Sequence, residues 1–443
     1  MPQSKNRIAK IAIKGFKSIG SEQSIDIRPL TILAGANSSG KSSFMQPLLL
    51  LKQTLESPGD PGALLLDGPN VRFTKGEQVL SANLNKKTRT RVFSIKITLL
   101  EGATFELVFC YKKSKGFDLE KMSFRKDVIK AQITKKMSID DILKILPPYL
   151  LELVNKVIKI KGDIQWQVER KRCFFDLSLL INHKKINDIF YNLPSISNSN
   201  ILIPLIEDVI HLPGLRGNPS RTYPRTAGGP FFPGTFEEYV ASVIAEWQSN
   251  GGKSKLKQLA KDLETMGLTW KVRAESIDDT QVELMVGRLG HSSKGGAQDL
   301  VSIADVGFGV SQALPVLVAL LAARPGQLVY LEQPEIHLHP LAQRKLAGIF
   351  CEAVKRGVVA VIETHSSILL REIQTLIAKN KLNKEDVAMH WLQRNKYGET
   401  CVQTAMVDDD GAYGDWPADF DNIELDAEQS YLDAVEAKHS GLR

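Results

Sequence analysis

Gly35-Ala36-Asn37-Ser38-Ser39-Gly40-Lys41-Ser42 decides the reading of this chain. The octapeptide satisfies the phosphate-loop pattern GxxxxGK[ST] at every defined position. The apolar run Leu30–Ala34 predicts a short strand before it, and Ser42–Leu51 predicts a helix after it. Glycines let a backbone wrap a phosphate closely, and loop amides at a helix N-terminus present aligned positive partial charge. Lys41 is therefore expected to pair with the β- and γ-phosphates of a nucleotide, and the Ser42 hydroxyl to ligate Mg2+. The expected nucleotide-binding set is Gly35, Asn37, Ser38, Ser39, Gly40, Lys41, Ser42 and Ser43. The bland alternative is a chance Gly/Ser loop, and the strand–loop–helix context argues against it.

A phosphate loop needs an acidic partner at the end of a neighbouring buried strand. Leu328-Val329-Tyr330-Leu331-Glu332 offers one, so Glu332 joins Ser42 as the expected metal pair. The polar stretch Gln333-Pro334-Glu335-Ile336-His337-Leu338-His339-Pro340 follows. A second apolar strand, Val358–Ile362, runs into Glu363-Thr364-His365. His365 is a candidate for sensing a γ-phosphate or positioning water, with a capping or core-edge histidine as the alternative. His337 and His339 lack a third ligand at a usual spacing, so a metal pair is not expected there.

The rest of the composition narrows the class. Of 443 residues, 43% are hydrophobic and 24% charged, an ordinary globular balance that excludes disorder as the main state. The longest apolar runs, such as Val316–Ala323, fall far short of the roughly 20 residues a bilayer requires, so no membrane partner is expected. Met1–Lys10 is polar and basic with no apolar core behind it, and the expectation is a cytoplasmic protein. Cys110, Cys173, Cys351 and Cys401 are scattered and read as reduced thiols. The net charge of +7 is unevenly spread. Residues 86–185 hold 23 Lys and Arg against 11 Asp and Glu, whereas residues 408–443 hold 2 against 11. A basic middle of this kind is a candidate for phosphates, including those of DNA, or simply a solvated face.

Along the chain, strand, phosphate loop and helix come first, then a mixed stretch, then helix–strand–helix–strand. Arg91–Leu100 and Thr104–Tyr111 read as a hairpin, and Ser138–Ile160 as two helices broken by Pro147-Pro148. No heptad pattern is sustained, so a long coiled coil is not expected. The resulting division is 1–75, an N-terminal lobe with the phosphate loop; 76–200, a basic α+β insertion; 201–300, a helix-and-strand return to the core; 301–405, a C-terminal lobe; and 406–443, an acidic tail.

Phe16-Lys17-Ser18, the phosphate loop, the stretch from Val329 to Pro340 and Ile362-Glu363-Thr364-His365-Ser366 occur in that order. Together they resemble the ABC-type ATPases of the SMC and RecF-like branch. More narrowly, they look like stand-alone bacterial ATPases of anti-phage defence operons, such as the Septu and PARIS types, and overcoming-lysogenization-defect nucleases. Leu212–Tyr223 and Gly411–Phe420 also resemble segments of this subgroup. The resemblance implies an α/β fold, an ABC-type P-loop ATPase head with an inserted α+β subdomain and no long coiled coil. It implies ATP and Mg2+ as ligands, and a head-to-head homodimer or higher oligomer. It further implies a separately encoded effector, nuclease or toxin, whose activity the nucleotide state gates.

In such pairs a glycine-rich signature on one head meets the γ-phosphate of the other. The matching residues here are Gly307 and Gly309 in Val306-Gly307-Phe308-Gly309-Val310-Ser311, although Gly307 stands where a signature serine is usual. Glu332 stands where most of these ATPases carry Asp. Gln333 stands where the catalytic Glu is expected, and an amide orients water without taking its proton. The expected catalytic set is thus Glu332, Gln333, Glu335 and His365, with Glu335 as substitute base or else slow hydrolysis. The competing reading is a DNA-binding repair or chromosome-maintenance ATPase. A transporter subunit is disfavoured, since only Gln78 is a candidate for its glutamine loop.

Overall fold

The computed structural model describes residues 6–83, 88–145, 151–152, 164–183, 186–192, 199–226, 229, 231–291, 299–414, 429–436 and 438. Two six-stranded sheets dominate it. The first runs Ile210–Leu212, Leu328–Glu332, Val359–Thr364, Leu30–Ala34, Val387–Arg394, Thr400–Ala405. Its first five strands are parallel and the last is antiparallel. Strands such as Leu30–Ala34 and Val359–Thr364 are buried along their whole length, because both faces of the sheet are covered. One face packs on the helix Ser42–Glu56 and the second sheet. The other lies under the helices Val240–Ser249, Phe308–Ala322, Pro340–Lys355 and Ser367–Ala378.

Parallel strands put all their carboxyl ends at one edge, which is where open α/β sheets bind ligands. The register here pairs Glu332 with Glu363, and Thr364 with Ala34. The end of the Leu328–Glu332 strand, the end of the Val359–Thr364 strand and the entry to the phosphate loop are therefore neighbours by construction.

The second sheet is antiparallel, in the order Gln23–Asp26, Ile8–Lys14, Val92–Leu99, Thr104–Lys112, Gly116–Lys126, Ile129–Thr134. The expected hairpin is its centre, and Ile8–Lys14 pairs directly with Val92–Leu99. The sheet thus spans the boundary drawn at 75/76: the first strand of the chain needs the 92–134 strands to cover its edge. Val92–Leu99 alternates buried and open residues, with Phe93, Ile95, Ile97 and Leu99 inward. On the open face, lysines meet carboxylates: Lys10 with Asp26 (3.1 Å), Lys96 with Glu22 (3.0 Å), Lys121 with Glu106 (2.8 Å) and Lys126 with Glu101 (2.9 Å). Part of the basic excess in the middle of the chain is neutralised on its own surface.

Of the two helices expected over Ser138–Ile160, Ile139–Ile145 is present, and the Pro147-Pro148 break lies outside the described residues. The longest helix among the described residues, Pro340–Lys355, has 16 residues, so no long coiled coil occurs among them. No helix of the described residues is long and apolar enough to cross a membrane. Of the acidic tail, 415–428 lies outside the described residues.

Candidate nucleotide and metal site

The phosphate loop forms as the sequence predicts, between Leu30–Ala34 and the helix beginning at Ser42. Two glycines make it possible. Gly35 has φ +146° and Gly40 φ +104°, both in the region that favours glycine. A Cβ at Gly40 would fall 2.3 Å from Thr400 Oγ1, and one at Gly35 would fall 2.3 Å from the Leu392 carbonyl oxygen. The intruding atoms belong to the C-terminal hairpin Val387–Ala405, which braces the loop from outside. Thr400 Oγ1 donates to the Ser39 carbonyl at 2.7 Å, and Arg394 Nε donates to the Ser38 carbonyl at 2.8 Å.

Lys41 is buried and folds back on its own loop, donating to the carbonyls of Gly35 (3.0 Å) and Ala36 (2.9 Å). Burial lowers its pKa, against the pull of Glu363 and Glu335. The Ser39 hydroxyl is buried with no hydrogen-bond partner, an unspent donor inside a loop shaped for phosphate. The loop opens on a cleft of about 700 Å3, within the range of small-ligand sites. Lys17, Lys41, Arg89 and Arg394 give it four cationic side chains, opposite Glu363 and Glu399. Only Lys41 of these four was a sequence candidate for the site.

A second cleft adjoins the first and shares Asn37, Gln333 and His365 with it. Gln333 and His365 thus stand at the mouth between the two, beside the lysine. Burial lowers the His365 pKa, and the charge of Lys41 lowers it further, so the neutral imidazole is favoured. Gln333 takes a left-handed φ of +43°, held because its amide donates to the Glu363 carbonyl (2.9 Å) and its carbonyl accepts from Arg216 Nη2 (3.0 Å).

The carboxylates divide the work differently from expectation. Ser42 Oγ donates to Glu363 Oε2 at 2.8 Å; its partner is Glu363 and not Glu332. The other Glu363 oxygen accepts from the Tyr330 hydroxyl. Burial, then repulsion from Glu332, pushes the Glu363 carboxyl up to about 7. Glu332 is held from the other side. His211 Nε2 lies 3.2 Å from its Oε1, and the Gly214 amide donates to its Oε2 at 3.2 Å. Burial raises the Glu332 pKa, but His211, the Gly214 amide and the Tyr330 hydroxyl together lower it more, and the net shift is downward.

Glu335 is also committed. Its Oε1 accepts from Thr364 Oγ1 (2.7 Å) and from the His365 amide (2.9 Å), so it anchors the turn that carries His365. Its Oε2 is buried without a partner. His339 caps the helix Pro340–Lys355 by accepting from the Leu341 amide, a structural role. No group of three or more His, Cys, Asp or Glu among the described residues is placed to hold a metal by itself.

Gly307 and Gly309 line neither cleft. They sit at the start of the helix Phe308–Ala322, where Gly307 is exposed and the Phe308 ring projects beside His337, centroids 5.9 Å apart. Arg216 joins this helix to the cleft. Nearly buried, it donates through Nε to Gln312 Oε1 (3.1 Å) and through Nη2 to the Gln333 carbonyl. Burial lowers its pKa to about 10. Arg221 instead is exposed, paired with Asp305 at 2.7 Å.

Residues 7–212 match a family model described as an AAA ATPase domain. Residues 194–371 match one described as an AAA domain, putative AbiEii toxin, Type IV TA system. No curated protein matches the chain. Among solved structures, an SMC head bound to the C-winged helix domain of ScpA is 12% identical, with a TM-score of 0.45 over 91% of this chain and 98% of that one. The SMC head with a coiled coil and joint from Pyrococcus yayanosii is 10% identical, with a TM-score of 0.46 over 90% and 97%. These likenesses are too distant to bear on function. The phosphate loop on its parallel sheet and the two ATPase-domain matches define the class, a P-loop ATPase-type chain with an α/β core.

Proposed function

We propose that the chain binds Mg–ATP in the cleft around Lys41 and hydrolyses it slowly. Two copies pair head to head over the nucleotide, and the paired state gates a separately encoded nuclease or toxin in cytoplasmic anti-phage defence. The observation that carries the reading is the meeting of Lys41, Ser42, Glu332, Gln333 and His365 at one edge of the parallel sheet.

In this reading the loop from Gly35 to Ser43 cradles the triphosphate, and Lys41 leaves the loop carbonyls for the β- and γ-phosphates. Ser42 and Glu332 hold Mg2+, whose oxygen-rich surroundings suit a hard cation and whose charge offsets that of the triphosphate. Gln333 and His365, at the mouth of the cleft, orient the attacking water. Glu335, the expected substitute base, is held through Oε1 by Thr364 and His365 and does not face the cleft around Lys41. Slow turnover follows from that arrangement. Gly307 and Gly309 present an exposed helix N-terminus to the partner's γ-phosphate, the kind of end that favours anions. The AbiEii toxin in the description of the model matched by 194–371 supports a defence setting. The ion-paired lysines of the antiparallel sheet count against the DNA-binding alternative.

Light scattering with and without Mg–ATP tests the pairing. The expected result is a doubled mass with ATP and not with ADP, alongside phosphate release well below the ~10 s−1 of an average enzyme. An unchanged mass at saturating ATP removes the head-to-head arrangement.

A further inference from the structure

We infer that Glu363 is a third protein group on the Mg2+ of the bound nucleotide, beside Ser42 and Glu332; the inference rests on the ATP reading above. Nothing in the strand pattern of Val359–Thr364 demands an acid at this place. The position is almost wholly buried, and the neighbours Ile362 and Thr364 are fully so. A carboxylate buried there needs a purpose strong enough to offset its desolvation.

Its surroundings supply one. Glu363 lies beside Glu332 in the parallel register, so two carboxylates share one buried strand edge. The Lys41 ammonium, which lines the same cleft, is turned onto the carbonyls of Gly35 and Ala36. The His211 ring and the Gly214 amide serve Glu332 alone. The Glu363 oxygens meet only hydroxyls, those of Ser42 and Tyr330. Lys41 is felt by Glu363 but makes no ion pair with it, so among the described residues the Glu363 carboxylate has no direct cationic partner, and a divalent cation would provide one.

The geometry agrees. Adjacent oxygens of an octahedral Mg2+ shell with bonds of about 2.0–2.1 Å stand about 2.9 Å apart. Ser42 Oγ and Glu363 Oε2 stand 2.8 Å apart. The two oxygens already have the spacing of neighbouring ligands, and a cation displaces only the hydrogen bond between them. The donors are all hard oxygens, which favours Mg2+ or Mn2+ over zinc. Because the described residues hold no self-sufficient metal cluster, phosphate oxygens must complete the shell. Metal binding is thus expected to depend on nucleotide.

A purely structural Glu363 would only anchor the Ser42 hydroxyl, and Glu363→Gln keeps that acceptor while removing the charge. The test uses the full chain and a fluorescent ATP analogue, titrated in EDTA and in Mg2+, with the ratio of the two affinities as readout. Mn2+ binding in the presence of a non-hydrolysable ATP analogue is followed by electron paramagnetic resonance. Glu363→Gln is expected to cut the Mg2+ gain, and the Mn2+ affinity, by roughly 10–100-fold, the range typical of groups that tune a metal site. A wild-type ratio and wild-type Mn2+ affinity in that variant overturn the inference. Should Glu363→Gln fail to fold, judged by thermal melting, Glu363→Asp carries the test, because it withdraws the oxygen by one methylene. A reduced ratio there supports the inference and an unchanged one overturns it. Lys41→Ala is the separate control: nucleotide retained by that variant in EDTA sinks the ATP reading itself, whatever Glu363 does.

Discussion

The two large sheets solve opposite problems with similar residues. The parallel sheet is covered on both faces, and its carboxylates, Glu332 and Glu363, stand side by side at the carboxyl ends of their strands. The antiparallel sheet is covered on one face. Its charged groups spread along the open face and pair with one another, as Lys96 does with Glu22 and Lys121 with Glu106. A charge on the first sheet sits beside a cleft in low dielectric and can do chemistry. A charge on the second sits in water and is screened.

Core substitutions sharpen that contrast most. Leu331 and Leu107 are both buried, one in each sheet. Replacing either by Ala is expected to lower stability by about 2–5 kcal/mol, read from denaturant midpoints. Leu331→Ala should in addition weaken ATP binding, because Leu331 adjoins Glu332, whereas Leu107→Ala should leave the affinity of the folded fraction unchanged. Equal effects on affinity would break the comparison. A much smaller change is expected for Lys96→Ala on the open face. Its ion pair with Glu22 is partly exposed, so the loss should stay within about 1 kcal/mol, with no change in nucleotide affinity. A large loss there would mean that the open face is covered by something the chain binds.

The core of the fold was legible in the sequence, and its edges were not. Leu30–Ala34 and Leu328–Glu332 announce themselves as apolar runs beside polar punctuation. Gly116–Lys126 was missed, and the reason is physical. Pairing with Thr104–Lys112 slips at Val108/Phe109, so Glu120 is an extra residue and the buried set Phe117, Leu119, Met122, Phe124 breaks its alternation. Val387–Arg394 hid for another reason, since His390 lies in its buried core. Its two ring nitrogens are matched by Thr404 Oγ1 (3.0 Å) on the neighbouring hairpin strand and by the Asp26 carbonyl (2.8 Å), far off in sequence.

The site divides in the same way. The phosphate loop, Glu332, Gln333 and His365 could be placed from motif and order. Glu363 was in view, next to His365, yet its contact with Ser42 depends on which strands are neighbours, and parallel pairing leaves no local trace in sequence. His211 lies in the edge strand Ile210–Leu212, and Gly214 and Arg216 in the segment that follows it past the end of the Leu328–Glu332 strand. The resemblance of Leu212–Tyr223 to the same subgroup drew attention to that segment, but its contacts with Glu332 and Gln333 depend on the fold.

Titration of ATP into the wild-type chain and into Lys41→Ala tests the central claim most directly. One nucleotide per wild-type chain, and none in a folded Lys41→Ala variant, is the expected outcome. Undiminished binding in the variant would contradict the account, because it would put the nucleotide somewhere other than the loop from Gly35 to Ser43.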